Sequence, residues 1–219
     1  MVLRQKIIRE TREYVKRELE GESSGHDWWH ISRVRNNAVR IASEEKGADL
    51  FIVKLASLLH DIADWKFHGG DEKASSRTAK DWLKRQNLDD SLIARICMVI
   101  EEVSFKGAGV KTVPSTLEGK IVQDADRLDA LGAIGIARTF AYGGKMAREI
   151  YNPNIKPELH KTFEEYRSNK GSTINHFYEK LLLLKERMNT DAAKRIAEER
   201  DKYMRDFLER FYKEWDGVQ

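Results

Sequence analysis

The chain has 219 residues, 41% of them apolar and 34% charged, with a formal charge of +3. That suits one large domain with a sizeable core, and it leaves too little positive charge to argue for a nucleic-acid partner. The one cysteine, Cys97, excludes an internal disulfide and points to a reducing, cytoplasmic setting; the mixed charges after Met1 form no secretion signal, and no apolar run approaches a membrane span.

Only three prolines occur, and Ala, Glu, Lys, Arg and Leu dominate, a composition that favours helix. Residues about 2–21 read as an amphipathic helix on Ile8, Val15 and Leu19. Asp27 is expected to cap a second helix, Trp28 to Lys46, with an inner stripe of Ile31, Val34, Ala38, Ile41 and Ala42 and a stop at Gly47. Asp49 caps a third, Leu50 to about Ile62, which is apolar nearly all round and therefore central. Asp71 is expected to cap a fourth ending near Gln86, and Leu92, Ile96, Val99 and Val103 mark a fifth over about 90–103. A glycine-containing loop follows at 104–109. Ser115 and Glu118 suggest a capping box before a helix from Leu117 to about Leu131. The small residues of 132–137 suggest a closely packed helical segment. Residues about 143–172 carry Gly143, Gly144, Pro153, Pro157 and Gly171 and read as a long irregular excursion, the kind used as a lid or binding loop. Two helices close the chain, about 173–188 and 190–215, the last with Ile196, Tyr203, Phe207, Phe211 and Trp215 on one stripe. No stretch alternates convincingly with period two, so one all-α domain is expected.

The chemistry starts at His60-Asp61, directly behind the apolar Leu58-Leu59. A buried carboxylate is costly unless a cation or good donors meet it. A divalent metal answers that need, because neutral imidazole and carboxylate oxygen are both ligands. His30, on the flank of the second helix's stripe, and the cluster Asp124, Asp126 and Asp129 are candidate companions, with Glu101 and Glu102 at the end of the fifth helix. Each has a plainer reading: a satisfied histidine at a helix end, a half-buried core histidine, a solvated acidic face with intrahelical pairs. Spacing alone does not bring these groups together.

The order His, then His-Asp, then Asp on successive helices resembles the HD superfamily of metal-dependent phosphohydrolases. The stretches His30-Ile31-Ser32-Arg33-Val34, Leu58-Leu59-His60-Asp61-Ile62, Ser104-Phe105-Lys106-Gly107, Asp124-Ala125-Asp126-Arg127-Leu128-Asp129-Ala130, Gly135-Ile136-Ala137-Arg138 and Asn175-His176-Phe177-Tyr178-Glu179-Lys180-Leu181 are similar to its small bacterial YedJ/YpgQ-like branch. The resemblance runs from about residue 26 to 188. It implies an all-α HD-domain helical bundle with a metal-binding core over about 26–142 and a lid with C-terminal helices over about 143–219. It implies one divalent metal on His30, His60, Asp61 and Asp126, with Asp126 preferred to Asp124 and Asp129 because Ala125-Asp126-Arg127-Leu128 matches the family pattern. Manganese is favoured, since two imidazoles and two carboxylates suit a transition metal better than magnesium, which prefers oxygen ligands; magnesium or another transition metal is the alternative.

The activity implied is hydrolysis of nucleotides, a nucleoside triphosphate going to monophosphate and pyrophosphate. The alternatives are a phosphomonoesterase or phosphodiesterase on the same scaffold, and a non-catalytic nucleotide-binding regulator. Asp61 serves catalysis through the metal. Asp64, three residues on, is a candidate proton-transfer group or a member of a plain ion-pair network. Arg33, Lys66, Lys106, Arg127 and Lys180 are candidates to hold phosphates, and His176 to close over the substrate, although a surface histidine and a solvated lysine would look the same. Trp28 and Trp29 either wall the pocket or staple the helix start, and His160 reads as a loop residue. The partner is a small nucleotide or phosphate ester, and both monomer and homodimer fit.

Overall fold

The helical periodicity is matched by a computed structural model that describes residues 2–21, 25, 27–63, 71, 73–103, 109–110, 112–160, 162, 164–165 and 171–218. The α-helices are α1 (Val2–Glu18), α2 (Trp28–Glu44), α3 (Leu50–Leu59), α4 (Ala74–Arg85), α5 (Asp90–Val103), α6 (Leu117–Asp129), α7 (Gly132–Lys145), α8 (Thr173–Glu179) and α9 (Asp191–Trp215), with short 3-10 turns at Leu181–Leu183 and Lys185–Arg187. No strand occurs among the described residues, so the all-α expectation is met. No helix among them is long and apolar enough to cross a membrane.

The chain divides into two compact units, Met1–Phe105 with Thr112–Asp126, and Lys106–Lys111 with Arg127–Gln219. In the first, α3 is central, as its all-round apolarity demands. It packs against α1, α2 and α5, while α4 pairs with α5. Leu55, Leu58 and Leu59 are fully buried. Both expected caps are made: Asp27 Oδ1 accepts from His30 N at 2.9 Å and Asp49 Oδ1 from Phe51 N at 2.9 Å.

The structure shortens α3, which ends at Leu59 rather than Ile62. Ile62 N reaches back only three residues, to Leu59 O at 3.3 Å, so the chain turns where His60 and Asp61 emerge. Asp71 does not cap α4. Its carboxylate accepts from Lys73 N at 3.0 Å and pairs with Arg77, and α4 starts without a side-chain cap. The capping box before α6 is also absent. Thr116 Oγ1 accepts from Gly119 N at 3.0 Å, while Glu118 Oε1 accepts from Asp49 N at 2.8 Å. Glu118 is thus a link between distant segments instead of a local cap.

In the second unit α7 continues through Gly143 and Gly144 to Lys145, so the irregular excursion begins later than the glycines suggest. Gly143 is needed for proximity, since a Cβ there would meet Thr173 Oγ1 at 2.3 Å. His160 lies in a loop, as expected, and is buried there: its Nε2 stands 4.0 Å from the buried Glu179 Oε2, and its carbonyl accepts from Gly109 N at 3.0 Å. The helix expected over 173–188 breaks at Lys180, whose φ of −139° leaves the helical region, and continues as the two 3-10 turns. On α9 the inner face carries Ile196, Met204 and Leu208, and Tyr203 points to solvent. Phe207 stacks on Phe177, and Trp215 meets Tyr151 edge-on.

Candidate metal centre

Three helices of the first unit deliver four donor side chains. Asp27 caps α2 by accepting from the backbone N–H of His30, three residues on, which fixes the start of the helix that carries the buried His30 imidazole. α3 releases the chain at Leu59, so His60 and Asp61 project from its end. His60 Nδ1 lies 3.0 Å from Ser57 O. A carbonyl only accepts, so Nδ1 donates and the Nε2 lone pair is left for the site. α6 contributes Asp126 near its end.

His30 Nε2 stands 3.5 Å from both Asp61 Oδ2 and Asp126 Oδ1. His60 Nε2 stands 3.8 Å from Asp61 Oδ2 and 3.7 Å from Asp126 Oδ1. All four separations exceed a normal N–H···O bond of about 2.7–3.2 Å. His30, His60 and Asp126 gather about one point, with Asp61 Oδ2 beside His30. Ligands each about 2.1 Å from one ion stand about 3–4 Å apart, which is the spacing seen. One ligand atom each from His30, His60 and Asp126 lies within 4.8 Å of the others, a group that could hold a metal. The donor chemistry fits: two neutral imidazoles bring nitrogen, and two carboxylates balance a double positive charge.

The exposure is lopsided. The histidine side chains are 0% and 1% exposed, and those of Asp61 and Asp126 are 19% and 30%. The imidazoles are buried, while the two carboxylates keep partial access to solvent. The charges respond to one another. Burial pulls the His60 pKa down, but the charge of Asp61 and the contact with Asp126 outweigh it and push it up to about 9. Burial raises Asp126 in turn, while His60 and His30 hold it below the usual carboxylate range. A proton on His60 therefore supplies the positive charge that the two carboxylates demand when no ion does.

Of the three aspartates in the α6 cluster, Asp126 stands beside the imidazoles. Asp124 is buried and Asp129 pairs with Arg138 Nη1 at 3.1 Å, so the cluster is not a solvated face. Arg33 is half-buried on α2, one turn after His30. Arg127 is buried, and its Nη1 donates to the Arg187 carbonyl, a backbone contact in the second unit. His176, within α8, and Lys180, just past its end, are half-buried, also in the second unit. Asp64, Lys66 and Lys106 lie outside the described residues. Trp28 is buried beneath the Arg12 guanidinium, 5.4 Å above its ring, and Trp29 is exposed. Sequence reasoning missed Ser57, which orients His60, and Gln123, a buried amide one turn before Asp126. Both had the same signal: a polar residue three places before a candidate ligand.

The model of the HD domain family matches residues 28–131. YpgQ of Bacillus subtilis is 38% identical over 214 residues, 97% of this chain and 96% of that one. The chain belongs to the HD superfamily. An HD-superfamily hydrolase from Bacillus thuringiensis is 44% identical, with a TM-score of 0.73 over 97% of this chain and 98% of that one. A Lactobacillus plantarum protein of known structure is 38% identical, with a TM-score of 0.86 over 97% and 98%. A crystal structure of YpgQ in complex with ADP, 35% identical, has a TM-score of 0.76 over 97% and 96%. The HD protein described here is accordingly an enzyme, a metal-dependent phosphohydrolase, and the cluster at His30, His60 and Asp126 falls inside the matched HD region.

Proposed function

We propose that this HD enzyme hydrolyses nucleoside triphosphates to a monophosphate and pyrophosphate, with one divalent ion, manganese in preference to magnesium, held by His30, His60, Asp61 and Asp126. The observation that carries the reading is the group of His30, His60 and Asp126, whose ligand atoms lie within 4.8 Å of one another, with Asp61 Oδ2 at 3.5 Å from His30 Nε2. Support for a nucleotide comes from the ADP complex of YpgQ.

An ion bound there lowers the pKa of water and offsets charge on phosphoryl oxygens. The protein's own groups do the rest. Ser57 O and the Asp27 cap hold the two imidazoles in place, so the donor geometry exists before substrate arrives. The partial exposure of Asp61 and Asp126 marks the side from which a phosphate would approach. Arg33, Lys66, Lys106, Lys180 and His176 are assigned to the phosphates, and Asp64 to the proton leaving the attacking water. Water attacks the α-phosphorus and the bond to the pyrophosphate oxygen breaks, with the proton departing through Asp64. Arg127 is assigned a structural role, because its guanidinium serves the Arg187 carbonyl.

The test is product analysis on a triphosphate panel with manganese and with magnesium. Pyrophosphate and monophosphate in equal amounts are expected. Inorganic phosphate instead would make the enzyme a phosphomonoesterase. Thermal stabilisation by nucleotides without turnover would make the chain a regulator, and either result overturns the proposal.

A further inference from the structure

α3 ends at Leu59, and the two residues that follow it, His60 and Asp61, are both assigned to the ion. Neighbours on a continuous helix point about 100° apart and do not face each other. His60 Nε2 and Asp61 Oδ2 nevertheless stand 3.8 Å apart. The chain leaves the helix at this pair. A continued helix would send Ile62 N to Leu58 O and Ala63 N to Leu59 O. Here Ile62 N reaches Leu59 O at 3.3 Å, and Ala63 N donates to Ser75 Oγ at 3.2 Å. Ala63 and Ser75 are both buried, so losing the hydroxyl would strand a buried donor. Ser75 stands in the first turn of α4. That turn is itself held in place: Cys97 Sγ on α5 donates to Ser76 O at 3.5 Å, and Ser76 Oγ to Lys73 O at 3.1 Å. All of these residues belong to the first unit.

We propose that Ser75 is a positioning residue for the metal centre: by accepting from Ala63 N it stops α3 at the ligand pair and fixes the direction in which Asp61 leaves the helix. The role rests on the ligand set proposed above; the bond itself does not. A binding constellation must be held within about 0.5 Å of its working geometry. Without the hydroxyl, the buried Ala63 N–H must find another acceptor. The one a helix offers is Leu59 O. Winding the chain on to reach it turns Asp61 Oδ2 away from His30 Nε2, which it approaches to 3.5 Å.

The test is calorimetric titration of the whole, metal-free chain with manganese. Ser75→Ala removes the acceptor, Ser75→Thr keeps it, and Ser76→Ala removes a neighbouring buried hydroxyl that bonds Lys73 O. Outer partners of metal ligands are worth about 10- to 100-fold in affinity; Ser75 acts through the backbone, so Ser75→Ala is expected to raise the manganese Kd by less, about 3- to 10-fold. Ser75→Thr is expected to restore the affinity. Ser76→Ala is expected to lower Tm and leave Kd alone, which separates positioning from general loosening. Added to Asp61→Ala, Ser75→Ala is expected to cost little more, because it acts through that carboxylate. An unchanged Kd in Ser75→Ala, an equal loss in Ser76→Ala, or a full further loss on top of Asp61→Ala would overturn the proposal. Should Ser75→Ala not fold, Ser75→Cys keeps the shape with a weak acceptor; a raised Kd is again expected, and wild-type affinity overturns the proposal. A wild type that binds no manganese would defeat the ligand set instead. The Ser75 bond would then be judged by hydrogen exchange at the Ala63 amide, which is expected to be slowed about 100-fold or more; exchange at the rate of an unfolded chain would defeat the bond as well.

Discussion

His60 is asked to do two things with one ring. Nδ1 is committed to Ser57 O, and Nε2 faces two carboxylates. Asp61→Ala removes one of those carboxylates, and manganese affinity is expected to fall by more than the roughly 10- to 100-fold seen for outer partners of metal ligands. Calorimetric titration checks this, and retention of stoichiometric metal with full affinity would remove Asp61 from the ligand set. The pH dependence follows from the same carboxylates. His60 keeps its proton up to about 9 in the absence of an ion, against an ordinary value of 6.5. A raised pKa adds stability that is complete below 6.5 and is lost as the pH climbs through about 9. The metal-free protein is therefore expected to lose stability between those values. The ion requires neutral imidazole, so histidine NMR should show the His60 titration near 9 in the metal-free protein and its abolition by manganese. Titration near 6.5 in the metal-free protein would contradict this.

At the scale of the helices, the site depends on where elements start and stop. Asp27→Ala removes the cap of the helix that bears His30. The loss is expected to be about 1 kcal/mol, or about 2–4 °C in Tm for a chain of this size. A calorimetric scan with no shift would show that the α2 start is held by other means. Gly119 on α6 matters for a different reason. A Cβ there would sit 2.8 Å from Glu102 Oε2 and 2.9 Å from Pro114 Cβ. Gly119→Ala is expected to cost about 1–3 kcal/mol, as overpacking does, and to disturb the hydrogen bond between Ser115 and Glu102. Urea unfolding measures it, and an unchanged midpoint would mean the Glu102 side chain yields freely. The elements were legible where the signal is local: the stripe of α2 and the caps Asp27 and Asp49 can be read from neighbouring residues. They were misread where a polar side chain serves a distant segment. Glu118 and Ser115 look like a capping box, but Asp49 N and Glu102 claim them.

For the molecule as a whole, three separate helices converge on one centre, so an ion bound there links them only in the folded state. Metal at 100 times its Kd is expected to stabilise by about 2.7 kcal/mol, and a chelator to reverse the gain. Thermal unfolding with manganese, magnesium and chelator measures it, and identical Tm values throughout would exclude a built metal site. The sequence by itself determined the all-α class, the central place of α3 and the chemical identity of the donors, because periodicity, caps and side-chain type are properties of residues near one another in the chain. The resemblance preferred Asp126 to Asp124 and Asp129, but spacing alone did not, and only the tertiary structure places its carboxylate 3.5 Å from His30 and 3.7 Å from His60. That placement depends on how α6 is turned and set against α2 and α3. Its setting is held by links such as that between Glu118 and Asp49, 69 residues apart, which no local pattern records.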